Sequence, residues 1–454
     1  MRRSSKVFIT MLLAFLLVFS GIPAQASNDA GSRDETLAAR AVAQLPQETG
    51  ASLISCTKTQ LTGNIYKYSY ILRVGPGEYD KIGVYRVVKA NANGTPIPAS
   101  RSVMMVHGAS SNFDSSFLTG TVSDNIPEDQ SIGFYMAQNN IDVWGIDFRW
   151  TLIPATETDL SFMRDWDTSM KLDDLQIAIK LARIIRSLTG SGFGRIFLLG
   201  HSMGALLTYA YANAETQLPE PSRDIKGIIP MDIVFKTSPE NPDLKQASYG
   251  RYQALKALYD SGIYYNDKGK NLNIIAGLSA TAPDDPSPIM PGLTNKQAGI
   301  FILSSTYATY APLQPDTPYY HYLAGSFDEY GIPTGFQYAN LGLTLDIGLA
   351  APAYQSLAEI IDNEALTSDA VDLPYDDHLA DIEIPVFYVG AAGGYGEYGA
   401  YTTSLLGSED NCYTIVQLHS PEEVALDYGH TDLLWSGNAK TLVWSPILDW
   451  INCH

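Results

Sequence analysis

Residues Arg195-Ile-Phe-Leu-Leu-Gly-His-Ser-Met-Gly-Ala-Leu-Leu-Thr-Tyr-Ala210 decide how the rest of the chain is read. Four apolar residues, Ile196 to Leu199, are too few for a buried helix and run into glycine, which predicts a buried strand. Ala205, Leu206, Tyr209, Ala210 and Ala212 then recur at helical spacing. Between strand and helix stands Gly200-His-Ser-Met-Gly204, a G-x-S-x-G element. Such an element holds a serine on a sharp turn, with glycines on either side that bring no Cβ into the crowded corner. The start of the following helix adds unpaired backbone N–H groups and a partial positive charge beside the hydroxyl, which favours an oxyanion forming there.

Working outward, the same alternation continues. Ser102 to Val106 predicts a strand that runs into His107-Gly-Ala109, and Ile141 to Ile146 a strand that ends in Asp147-Phe-Arg149. Leu172, Leu175, Ile179, Ala182 and Ile185 share one helical face, and Thr189-Gly190 stops that helix. Ile228 to Met231 and Pro385 to Val389 supply later strands. Alternating strands and helices predict an α/β fold, a mostly parallel sheet with helices on both faces. Its reactive residues belong at the carboxyl ends of the strands. Nearer the start, Tyr66 to Val74 and Ile82 to Lys89 flank Gly75-Pro-Gly77 and read as a hairpin. Residues 27–63 show little periodicity and read as an irregular entry segment.

This succession resembles the α/β-hydrolase superfamily in four places: His107-Gly108, Asp147-Phe-Arg149, Gly200-His-Ser-Met-Gly204 and Tyr428-Gly-His430, in that order. The resemblance covers about residues 64–232 and 382–450, and the ending Gly429-His-Thr-Asp-Leu-Leu-Trp435 is similar to exported lipase and esterase members. It implies Ser202 as nucleophile, His430 as base, and an oxyanion hole made of the Met203 and Ala109 N–H groups. Chemistry asks for the serine–histidine pair independently, because a hydroxyl is a poor nucleophile at neutral pH unless an imidazole takes its proton. Among the other histidines, His201 flanks the nucleophile, His107 reads as a brace for its own loop, His321 and His378 fall in an inserted region, and His419 and His454 lack comparable context.

The acid of the triad departs from the family pattern. Where relatives place it, this chain has Gly393, inside Gly390-Ala-Ala-Gly-Gly-Tyr-Gly-Glu397. Glu397 qualifies if that loop folds back, and Asp232 qualifies because it ends the strand Ile228 to Met231. The sequence leaves the two in balance. Asp432 reads as a loop-stabilising residue that faces away.

The resulting division is a hydrolase core in two parts, 64–232 and 382–454, with residues 233–381 as an inserted, mainly helical cap. The cap holds 14 of the 28 tyrosines, including Tyr264-Tyr265 and Tyr319-Tyr320-His321-Tyr322. Tyrosine pairs a broad apolar face with a polar tip, which suits a cleft for an acyl chain or aromatic group. The expected activity is hydrolysis of a small carboxylic ester with no cofactor. Peptide or thioester cleavage on the same apparatus, or a non-catalytic binding protein that keeps the fold, are the alternatives.

Arg2, Arg3 and Lys6 precede a mostly apolar run from Val7 to Phe19, with Ala24-Gln-Ala26 after it. That is the pattern of an export leader, residues 1–26, and the run is short for a membrane span. A secreted or periplasmic protein beginning near Ser27 is expected. Its formal charge of −20 becomes about −23 without the leader, which disfavours nucleic acid and anionic membranes as partners. Of Cys56, Cys412 and Cys453, the last two are the favoured pair for a bridge, with three free thiols as the alternative. No zinc, phosphate-loop or dinucleotide motif is present.

Overall fold

A computed structural model describes residues 28–309 and 317–454; the expected leader lies outside them. Nine strands form one sheet. The first seven are β1 (Ser52–Gln60), β2 (Ile65–Arg73), β3 (Lys81–Lys89), β4 (Arg101–Val106), β5 (Ile141–Asp147), β6 (Ile196–His201) and β7 (Ile225–Met231), followed by Val386–Ala391 and Asn411–Val416. Their spatial order is β1-β2-β3-β5-β4-β6-β7, then Val386–Ala391, then Asn411–Val416. The pairs from β1 to β5 are antiparallel, and every pair beyond β5 is parallel.

The central strands are buried on both faces, so most of their positions are apolar. In β4, Met104 and Val106 join one core layer while Val103 and Met105 join the other, the period-two alternation of a strand. The helices Thr168–Leu188 and Met203–Thr216 cover the first layer, and Ile132–Gln138 and Ser445–Cys453 cover the second. Buried charges in the core are paired. Asp142 on β5 takes two hydrogen bonds from Arg86 on β3, both 2.8 Å, and one of 2.9 Å from Arg186. A buried charge is tolerable only with such partners.

Two expectations need correction. The entry segment is not irregular: a helix spans Asn28–Val42 and β1 forms the edge of the sheet. As an edge strand of Ser, Thr and Lys, β1 is only half covered and has a bulge between Leu53 and Ser55, so its apolar pattern is faint. The cysteines are all free. Cys412 lies in the strand Asn411–Val416, its thiol 3.7 Å from the Val386 carbonyl, while Cys453 ends the last helix.

Between β7 and Val386 the chain forms the helices Pro242–Asp260, Lys268–Thr281, Asn295–Ser304, Leu341–Ala350 and Leu357–Ser368. Two small antiparallel pairs, Tyr265–Asn266 with Gln355–Ser356 and Gly325–Phe327 with Pro333–Phe336, join them.

Candidate active site

The turn after β6 is tight. Ser202 has φ 57° and ψ −128°, a region that residues with a Cβ occupy at a cost and that the surrounding structure must enforce. A Cβ on Gly200 would stand 2.1 Å from the Gly204 carbonyl oxygen, and one on Gly204 would stand 2.0 Å from that of Val106. The two outer positions of the motif therefore have room only for hydrogen. Gly108 is similar, since its Cβ would meet that of Ser202 at 2.8 Å. Ser202 N–H donates to Met231 O at 3.0 Å, fixing the turn against the end of β7.

The residue after Met231 is Asp232, fully buried and at φ 49°. Its Oδ2 is 2.6 Å from His430 Nδ1. Oδ1 accepts from the backbone N–H groups of Ala391 at 2.9 Å, Gly396 at 3.0 Å and Tyr395 at 3.1 Å. The glycine-rich loop thus wraps the Asp232 carboxylate. A Cβ on Gly394 would lie 2.2 Å from Asp232 Oδ2, which explains a glycine there. Glu397 is exposed in the first turn of the short helix Gly396–Ala400 and lines a different cleft from the one that holds Ser202. Of the two candidate acids, the structure brings Asp232 to His430 and leaves Glu397 away from it.

Carboxylates on either side shape the His430 loop. Asp427 accepts from the N–H groups of Leu418, His419 and Tyr428 at 2.8, 3.0 and 2.6 Å. Asp432 accepts from Gly429 N–H at 2.8 Å and from Ala324 N–H of the insertion at 2.7 Å, and burial pushes its pKa up to about 7. It turns away from the imidazole and stabilises the loop. Burial also holds His201 at about 3, so it is neutral; its Nε2–H donates to His430 O at 2.9 Å and its ring lies 4.5 Å from that of His430.

The insertion reaches the same loop. His430 N–H donates to His321 O and Thr431 N–H to Tyr322 O, at 3.0 and 2.8 Å. The buried His321 ring lies 2.7 Å from Asp427 O and 2.8 Å from Tyr319 O. Tyr320, Tyr322 and Tyr395 surround the His430 ring at centroid distances of 5.3, 6.0 and 5.5 Å. From sequence His321 falls in the insertion, and the flanking tyrosines are its only signal.

Ala109 N–H and Met203 N–H have no acceptor among the described residues. Ser110, at φ 53°, donates its own N–H to Gln355 Oε1 at 3.1 Å. His107 packs edge-on against Phe148 and Trp150, its Nδ1–H donates to Gly108 O at 2.9 Å, and burial holds its pKa at about 3. It is a neutral brace. Ala109, Ser202 and His430 line one cavity of about 100 Å³, whose other walls include Leu272, Leu303, Ile347, Leu434 and Trp435. Among the described residues no hydrogen bond joins Ser202 Oγ to His430 Nε2, but both residues line this cavity. Lys268 and the Tyr322 hydroxyl, hydrogen-bonded to each other, add a polar wall. No cluster of three or more potential metal ligands occurs among the described residues, and no helix among them is long and apolar enough to cross a membrane.

No family model matches the chain, and no curated protein matches it in sequence. Solved structures do match. A "putative lipase from Sulfolobus solfataricus" is similar over 88% of this chain and 99% of its own, at 19% identity and a TM-score of 0.57. A soluble variant of monoglyceride lipase from Saccharomyces cerevisiae covers 89% and 96%, at 12% identity and a TM-score of 0.43. A mutant Vigna radiata epoxide hydrolase covers 88% and 97%, at 13% and 0.40. The parallel sheet, its helices on both faces and the first of these likenesses together establish that the chain has the fold of the α/β-hydrolase superfamily.

Proposed function

We propose that the protein is an exported serine hydrolase that cleaves small carboxylic esters. The 2.6 Å contact of His430 Nδ1 with Asp232 carries this reading, because it orients an imidazole on the cavity that Ser202 lines. Ser202 Oγ attacks the ester carbonyl carbon and its proton passes to His430 Nε2, while Asp232 holds the ring and stabilises the imidazolium. The carbonyl oxygen, now negative, takes the two free N–H groups of Ala109 and Met203. Collapse returns the proton to the leaving alkoxide, and water releases the acyl group by the same steps in reverse order of roles. The apolar walls of the cavity suit an apolar acyl group. The Asp232 contact supports this reading over a non-catalytic binding protein on the same fold.

Turnover of short p-nitrophenyl esters is the test. Ser202→Ala is expected to abolish it, Asp232→Asn to lower kcat by about 10⁴-fold, and Glu397→Gln to change it less than about threefold, as surface substitutions do. An active Ser202→Ala enzyme would refute the mechanism.

A further inference from the structure

Gln355 belongs to no motif, yet it is buried at the point where the insertion meets the reaction centre. It stands in the two-residue strand paired with Tyr265–Asn266, just ahead of the cavity-lining helix Lys268–Thr281. Its amide makes different bonds at its two ends. Oε1 accepts from Ser110 N–H at 3.1 Å; Nε2–H donates to Glu359 Oε1 at 2.6 Å and lies 3.3 Å from Met203 Sδ. The other Glu359 oxygen is 3.2 Å from Lys171 Nζ and accepts from Trp150 Nε1–H at 3.3 Å. Lys171 and Trp150 belong to the core, so the chain of contacts runs from core to insertion and back to the loop after β4. The amide cannot turn over, because its oxygen would then face the Glu359 carboxylate.

Ser110 follows Ala109 and is held at positive φ, a conformation that has to be maintained by its surroundings. Met203, whose N–H is the second donor of the expected hole, touches the same amide through its sulfur. We infer that Gln355 is a positioning residue for the oxyanion hole: it fixes the Ala109-Ser110 segment relative to Met203, so that the insertion contributes to the rate as well as to the walls of the cavity. This rests on the hydrolase reading above.

Gln355→Leu keeps the bulk and removes the acceptor. Its kcat is expected to fall about 10- to 100-fold, the scale of a misplacement near 1 Å, with KM within about threefold, because the lost interaction belongs to the transition state. Affinity for a trifluoromethyl ketone, whose adduct with Ser202 carries an oxyanion, is expected to fall in proportion to kcat/KM. Gln355→Glu alone sets two carboxylates together and is expected to be as slow. The double variant Gln355→Glu with Glu359→Gln restores an acceptor for Ser110 and a donor between the two side chains, and is expected to recover kcat to within about fivefold of native. A folded Gln355→Leu enzyme with native kcat, or with a loss in KM alone, overturns the inference. If that variant does not fold, a folded double variant no faster than Gln355→Glu overturns it, and recovery supports it. Native protein that neither turns over esters nor takes up a fluorophosphonate overturns the hydrolase reading and this inference with it; native activity beside an indifferent Gln355→Leu overturns this inference alone.

Discussion

Asp432 illustrates how one side chain two positions from His430 can matter without touching a substrate. Its carboxyl is buried beneath the loop, and burial raises its pKa from 3.8 to about 7. Between those values the folded protein holds a proton that the unfolded chain has released. Stability from this group is therefore complete below about pH 4 and is lost as the pH rises through 7. Asp432→Asn is expected to flatten the fall in urea-unfolding free energy between pH 4 and 7.5 by at least about 1 kcal/mol. Some slope should remain, since burial also raises Asp147 to about 6 and Glu215 to about 7. An unchanged slope in the variant would assign the pH dependence elsewhere.

Among the elements, the loop Gly390 to Gly396 separates what could be read from what could not. Its glycines stand out in the sequence, and Glu397 qualifies as the acid only if they let the loop fold back. They serve a different purpose: without side chains, the backbone comes close enough for three N–H groups to hold Asp232. Gly394→Ala is expected to cut kcat by more than about tenfold by pushing on the Asp232 carboxylate, with a smaller effect from Gly277→Ala, where a Cβ meets only Leu349 at 3.8 Å. Steady-state kinetics on both variants checks this. The strand-turn-helix around Ser202 was legible because steric crowding leaves a compulsory pattern, glycine at each close approach. The choice between two acids was not, since it depends on where distant backbone N–H groups converge. β1 escaped for a different reason, as a half-exposed edge strand whose Ser, Thr and Lys give almost no alternation in hydrophobicity.

Over the whole molecule, the central strands were the most readable part, because strands covered on both faces are mostly apolar, while the two edge strands, β1 and Asn411–Val416, were not foreseen. His321 and Gln355 were the least readable. Each acts on loops that lie far away in sequence; the flanking tyrosines are the one local signal for His321, and Gln355 has none. The leader remains a proposal about the same chain: N-terminal sequencing or mass spectrometry of the exported protein is expected to find its start near Ser27, and retention of residues 1–26 would count against export by cleavage.

Asp232 stands at the entrance to the insertion and the loop that holds it at the exit, while His321 and Gln355 bond from within the insertion to the His430 loop and to the loop after β4. In many designs such a segment would be treated as an interchangeable module, traded between homologues to alter selectivity. Here a transplanted module would have to bring along matching struts for both loops, or the recipient scaffold would bind its new substrate and leave it intact.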